Sequence, residues 1–271
     1  MDNIVILDCG SQYTQLIARR IREMKVHSEI LPWDTELEEI QGKSPTGIVI
    51  SGGPQSVRDE GSPTVPKELF ELGIPVLGLC YGMQLMTNLL GGNVESGKRR
   101  EYGRATITVT DQETPLFQGI PDSFQVWMSH GDHIDRLPDG FTLLAETLDG
   151  VPAAMKSDNG MLWALQFHPE VVHTQNGINI LENFLFGISN CKGDWDLGDW
   201  VENMIEDIRK QVGTSSVICG LSGGVDSTVA AVLTHRAIGD RLECIFVNNG
   251  LLRADEAEHV LERYKELQLK V

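Results

Sequence analysis

Residues 75–84 read PVLGLCYGMQ, an apolar run ending in one cysteine with a glycine two residues to either side. Residues 76–79 have the composition of a buried parallel strand, and from residue 83 to 90 apolar side chains recur at helical spacing. Cys80 therefore falls where the chain reverses from strand to helix, the turn by which an α/β sheet presents a nucleophile. Gly78 and Gly82 leave room for that reversal. A thiol at the start of a helix also feels the positive end of the helix dipole, which favours the thiolate. Taken alone, the segment fits a buried structural cysteine as well.

Two further segments bear on the choice. Residues 165–170, LQFHPE, read as an apolar strand ending in His168, with Glu170 two residues on. A cysteine nucleophile needs a base and a carboxylate that orients it, and these two residues supply both. Residues 51–54, SGGP, close the apolar strand at 47–50. A glycine pair in such a loop leaves backbone N–H groups to face an anion, so Gly52 or Gly53, with the amide of Tyr81, is the expected oxyanion hole. Singly, these are an ordinary loop with a surface glutamate and an ordinary turn. In an open α/β sheet both the Cys80 elbow and the strand end at His168 would lie on the carboxyl edge, where ligands bind.

Apolar runs at 4–7, 48–50 and 76–79 alternate with helical patterns such as 13–24. That alternation predicts an α/β fold with an open, mainly parallel sheet covered by helices on both faces. Residues 104–164 are more hairpin-like, and a helix after Asn176 carries Ile178, Leu181, Phe184 and Leu185. The expected domains are 1–190, a linker at 191–199 rich in small and charged residues, and a second α/β domain at 200–271 opening with a helix at 200–212. In that domain residues 217–227, VICGLSGGVDS, read as a strand, a Ser-Gly-Gly turn and a helix starting at Asp226 or Ser227. Small residues before a helix N-terminus can wrap a phosphate. The lysine of a Walker loop is absent. Asp226, acidic beside phosphates, would act through a magnesium ion or as a helix cap. A second strand, LECIFVNNG, precedes a helix from residue 254 to about 267 with Ala257, Val260, Leu261, Tyr264 and Leu267 on one stripe, and QLKV begins what looks like another strand.

Hydrophobic content of 41% and charged content of 23% are ordinary for a globular enzyme, and a net charge of −17 argues against a nucleic-acid-binding surface. Lys98, Arg99 and Arg100 form the one dense basic cluster, read as a solvated hairpin or interdomain contact. No apolar run is long enough to span a membrane and no leader stands at Met1, so a cytoplasmic protein is expected. The five cysteines form no C-x-x-C pair and fit reduced thiols. Cys9, Cys219 and Cys244 are expected in the core and Cys191 on the surface. His130 and His133 are read as structural residues of a loop rather than metal ligands, and His173 as a surface residue.

GLCYGMQ, FHPE and SGGP, in this order, resemble the class I glutamine amidotransferases over roughly residues 4–187. The resemblance implies a flavodoxin-like domain that hydrolyses glutamine to glutamate and ammonia. It makes Cys80 the nucleophile, His168 the base and acid, and Glu170 the residue that orients the imidazole. It also implies that Gln84 holds the substrate and that Ser129 and His130, in WMSHGD at 127–132, wall the glutamine site. SGGVDS resembles the pyrophosphate loop of the ATP pyrophosphatases, a Rossmann-like adenine nucleotide α-hydrolase fold, and would place Ser222, Gly223, Gly224, Val225, Asp226 and Ser227 around ATP. The two together resemble the GMP synthetase family. That implies ATP and Mg2+ for the synthetase half, glutamine, ATP and XMP as partners, and a homodimer formed through a part beyond this chain. The family has an aspartate where this chain has Asn248, which puts a metal role there in question. Family members are about twice as long, so the second domain is expected to be incomplete, with only the glutaminase part retained. Other glutamine-dependent synthases, a non-catalytic binding module and a glutamine-independent thiol hydrolase are the alternatives.

Overall fold

The computed structural model describes residues 2–248, 250 and 256–271, without the side chains of residues 97–101, 197, 199 and 256. The chain forms two compact units, Met1–Trp195 and Asp196–Val271.

In the first unit the elements run β1 (Asn3–Asp8), α1 (Thr14–Glu23), β2 (His27–Pro32), α2 (Leu37–Gly42), β3 (Gly47–Ile50), β4 (Val76–Leu79), α3 (Tyr81–Leu89), β5 (Asn93–Val109), β6 (Ser123–Arg136), β7 (Phe141–Thr147), β8 (Pro152–Ser157), β9 (Leu162–Leu165) and α4 (Gly177–Glu182). Among the described residues nine strands make one sheet in the order β2-β1-β3-β4-β9-β8-β7-β5-β6. From β2 to β9 the neighbours are parallel; from β9 outward they are antiparallel. The parallel part has the flavodoxin-like order.

β3, β4 and β9 are buried along their whole length, as apolar strands covered on both faces must be. The pleat divides β1 between two cores. Ile4 and Ile6 pack with Ile17 and Ile21 of α1, while Val5 and Leu7 pack with Ile40 of α2 and Met83 and Met86 of α3. Each such side chain contributes roughly 1.5–3 kcal/mol by leaving water. Because β3, β4 and β9 are adjacent and parallel, the segments after them emerge side by side on one edge.

Several expectations are corrected. The helix after Asn176 buries Ile180, not Ile178, which is exposed, and continues as a π-helix over Asn183–Ile188. Cys191 is buried rather than on the surface, because residues 191–195 pack back onto the first unit. Its N–H donates to the Leu185 carbonyl, the Trp195 N–H donates to that of Lys25, and the Trp195 ring lies 5.9 Å from His27. His130 and His133 sit in strand β6, not a loop. The side chains of Lys98, Arg99 and Arg100 lie outside the described residues, although the backbone there belongs to β5. His173 is exposed, tilted 34° over the Trp127 ring.

The second unit runs α5 (Leu197–Val212), β10 (Val217–Leu221), α6 (Val225–Ile238), β11 (Leu242–Phe246) and α7 (Glu256–Glu266), with β10 and β11 paired in parallel. Ile205, Leu221, Ala231, Leu242, Val260 and Tyr264 form its core. On α7 the apolar stripe is narrower than expected, since Leu261 and Leu267 are exposed; residues 254 and 255 lie outside the described part. Residues 268–271 form no strand, although the Lys270 carbonyl accepts from the Cys244 N–H. Cys219 is half-buried, not a core residue. No helix among the described residues is long and apolar enough to cross a membrane.

Candidate active site

The turn from β4 to α3 is strained where chemistry needs it. Cys80 has φ 52° and ψ −102°, a conformation that costs a non-glycine residue on the order of 1–3 kcal/mol and persists only where its surroundings enforce it. They do so here by hydrogen bonding and by close approach. The Cys80 N–H donates to the Leu165 carbonyl at 2.7 Å, and its own carbonyl accepts from Met83 and Gln84 in the first turn of α3. A Cβ on Gly78 would stand 2.7 Å from the Gly82 backbone, and one on Gly82 would run into the Ile50 carbonyl oxygen. Cys80 thus sits at the N-cap of α3.

His168 lies three residues past β9 rather than at the strand's end. Its N–H donates to the Trp127 carbonyl on β6, and the Thr174 hydroxyl donates to its carbonyl at 2.6 Å while accepting from the Trp127 N–H. The imidazole is buried, 2.7 Å from Glu170 Oε1 through Nδ1, with the Tyr13 ring edge-on at 5.0 Å. Burial opposes the imidazolium, but hydrogen bonds to Cys80 and Glu170 and their negative charges outweigh it and raise the His168 pKa to about 10. The second Glu170 oxygen is buried with no hydrogen-bond partner among the described residues, and Arg20 Nε donates to the Glu170 carbonyl at 3.2 Å.

The segment after β3 closes over this pair. The Ser51 hydroxyl accepts from the Cys9 N–H and donates to the Gly52 carbonyl. A Cβ on Gly52 would press on His168 Cε1 at 3.1 Å, and one on Gly53 would stand 2.7 Å from the Cys9 carbonyl oxygen. Gly53 and Tyr81, with Cys80 and His168, line a cavity of about 600 Å3; Gly52 does not.

Gln84, Ser129 and His130 line the same cavity. Gln84 is buried, and its Nε2 donates to the Asp132 carbonyl at 3.0 Å and lies 3.4 Å from Gln166 Oε1, so it also ties α3 to β6. Sγ of Cys80 lies 3.5 Å from the Ser129 carbonyl oxygen and 3.8 Å from Gln166 Nε2. Sequence reasoning missed Tyr13, Arg20, Gln166 and Thr174. Only Gln166 had a local signal, as a polar residue inside the apolar LQFHPE run. It also missed that the Asp132 carboxylate accepts a short hydrogen bond from the Ser56 hydroxyl, joining two cavity walls. A buried thiol, an imidazole held by a carboxylate, and backbone amides around one cavity can attack a carbonyl and stabilise the oxyanion.

Residues 5–188 match the family profile described as glutamine amidotransferase class-I. The chain belongs to that family. The fold of this class-I glutamine amidotransferase is shared with the crystal structure of a Thermoplasma acidophilum protein described as one subunit of a GMP synthase. The two are 36% identical with a TM-score of 0.64, over 70% of this chain and 94% of the other. Relatives described as glutamine-hydrolysing GMP synthase include those of Brachyspira hyodysenteriae, 53% identical, and Aquifex aeolicus, 49% identical, each over 98% of this chain and 52% of the relative. The chain spans about half the length of the curated relatives it matches.

Within the amidotransferase's second unit, residues 198–271 match the profile described as NAD synthase. Its SGGVDS segment links β10 to α6, which starts at Val225, earlier than expected. Gly224 is the N-cap, so Asp226 does not cap the helix. Ser222 and Ser227 hydroxyls are 3.0 Å apart, and the Ser222 N–H donates to Ser227 Oγ. Gly223 has φ +82° and its Cβ would meet Val260 at 3.2 Å, which explains a glycine there. Asn248 is exposed and accepts from the Gly250 N–H. Among the described residues no group of three or more His, Cys, Asp or Glu could hold a metal ion.

Proposed function

We propose that the first unit is a glutaminase in which Cys80 attacks the carboxamide carbon of glutamine, and that it serves as the ammonia-supplying half of a GMP synthase. The observation that carries the reading is the strained Cys80 lining one cavity with a buried His168 whose Nδ1 is held by Glu170. The oxyanion would be held by the backbone N–H groups of Gly53 and Tyr81. His168, as imidazolium, would give its proton to the leaving ammonia, then take one from water as the γ-glutamyl thioester is hydrolysed. Glu170 would keep the imidazole oriented with Nδ1 as the donor. Gln84, Ser129 and His130 would wall the substrate.

The second unit would bind ATP, with the Ser222, Gly223, Gly224, Val225, Asp226 and Ser227 segment around its phosphates. The lone carboxylate at that loop suits a magnesium ion carried mainly by the nucleotide's own phosphates. In the complete enzyme, XMP adenylylated by ATP would receive the ammonia to give GMP, AMP and pyrophosphate, with dimerisation through the remainder of the protein. The names of the relatives and the SGGVDS loop support this reading.

The test is glutamate release from glutamine by this chain and by Cys80→Ala, with parallel labelling by a glutamine-like electrophile. Turnover or labelling that requires Cys80 is expected. Neither in the native chain would overturn the assignment.

A further inference from the structure

Outside the cavity the described residues hold one pair of thiols placed together by the sheet. Cys219 and Cys244 are direct register partners of the parallel β10–β11 pair. Paired residues on adjacent strands face the same way, and strands about 4.8 Å apart put their Cα atoms within the roughly 4.4–6.8 Å window that a disulfide spans. The flanking pairs fix which face this is. Leu221 and Leu242 are buried toward the helices with Cys244, whereas Ile218 and Ile245 are exposed on the opposite face. Both cysteines are free thiols, Cys244 buried and Cys219 half-buried.

We propose that Cys219 and Cys244 are an oxidative modification site, a dithiol that a peroxide closes to a disulfide joining β10 to β11 just ahead of the SGGVDS loop. The unequal burial assigns the roles. Burial, and then the nearby charge of Cys219, push the Cys244 thiol up, so the more open Cys219 reacts first. Its sulfur attacks the peroxide, the O–O bond breaks, and a sulfenic acid and water form. The Cys244 sulfur then attacks the Cys219 sulfur, the S–S bond forms, and the hydroxyl leaves as a second water with the thiol proton. Two thiols and one peroxide give one disulfide and two waters. A cross-link between neighbouring strands is constrained, which places it among the readily reduced, labile disulfides. β10 runs directly into Ser222, whose N–H is part of the loop's internal hydrogen bonding, so closure acts on the loop's geometry.

The experiment treats the folded Cys80→Ala chain, which lacks the competing nucleophile, with stoichiometric hydrogen peroxide, blocks free thiols and maps tryptic peptides. The expected product joins peptide 211–236 to peptide 242–253, disappears in Cys219→Ser and in Cys244→Ser, and is reversed by dithiothreitol. Pairing of either cysteine with Cys9 or Cys191 instead, or no cross-link while both thiols remain alkylatable, would overturn the site. A second readout rests on the ATP reading above and is separate from the map. ATP binding by the oxidised chain is expected to weaken severalfold and recover on reduction, and unchanged affinity in a fully cross-linked chain would refute the coupling to the loop.

Discussion

Replacing Glu170 by glutamine isolates what its charge contributes to the candidate triad. The side chain is fully buried and its Oε1 lies 2.7 Å from His168 Nδ1. Glutamine keeps the shape and a carbonyl acceptor for the Nδ1–H, so the imidazole should keep its place. What is lost is the negative charge beside the imidazolium. A hydrogen bond to a charged partner is worth about 1.5–3 kcal/mol, which corresponds to a fall of roughly 10- to 150-fold in kcat at neutral pH, with KM little changed. The pH profile carries the sharper signature. His168 is raised to about 10 by Cys80 and Glu170 against burial, so the wild-type alkaline limb, where the imidazolium proton is lost, lies high. In Glu170→Gln one source of that elevation is gone and the limb moves to lower pH. The assay is glutamate release across pH at saturating glutamine, with the rate of Cys80 alkylation by a glutamine-like electrophile as a readout independent of turnover. A variant with kcat within twofold of wild type and an unmoved alkaline limb would refute the role given to Glu170.

The same elevated His168 gives a stability prediction. The folded chain holds this proton up to about 10 and the unfolded chain only to about 6.5, so the contribution is complete below 6.5 and is lost as pH rises through 10; thermal melts over that range should show a shallower decline in Glu170→Gln. Gly82→Ala forces a methyl against the Ile50 carbonyl, and a loss of about 1–3 kcal/mol with failure of Cys80 labelling is expected in melting and alkylation measurements. Ser56→Ala removes the partner of the Asp132 carboxylate across the cavity and should raise KM for glutamine severalfold while leaving the melting temperature nearly unchanged. Ser227→Ala breaks the loop's hydroxyl contacts with Ser222 and should weaken ATP binding about tenfold in a titration of the folded chain.

How far the site could be read from the chain depended on how local its causes are. The elbow at Cys80 was legible because the glycines, the strand and the helix that create it are contiguous in sequence. His168 and Glu170 were legible as a pair because only Pro169 stands between them. Arg20 and Thr174 were not, since Arg20 reaches the Glu170 carbonyl 150 residues away and Thr174 bridges the His168 carbonyl to the Trp127 N–H on β6, and neither residue type signals such bonds. Cys191 misled for a related reason: a segment of small and charged residues looks solvated until its one tryptophan is seen to anchor it.

The alternation of buried strands and amphipathic helices, the turn chemistry at each strand end and the residue types offered there are all written into the order of residues. They follow from local backbone sterics and apolar periodicity, which act over a few residues. That β4 lies between β3 and β9 is a property of the folded chain alone, because strand order is set by how whole faces pack and not by any one strand's composition. That order brings Gly53, Cys80 and His168 to one cavity. Register, equally non-local, sets Cys219 against Cys244.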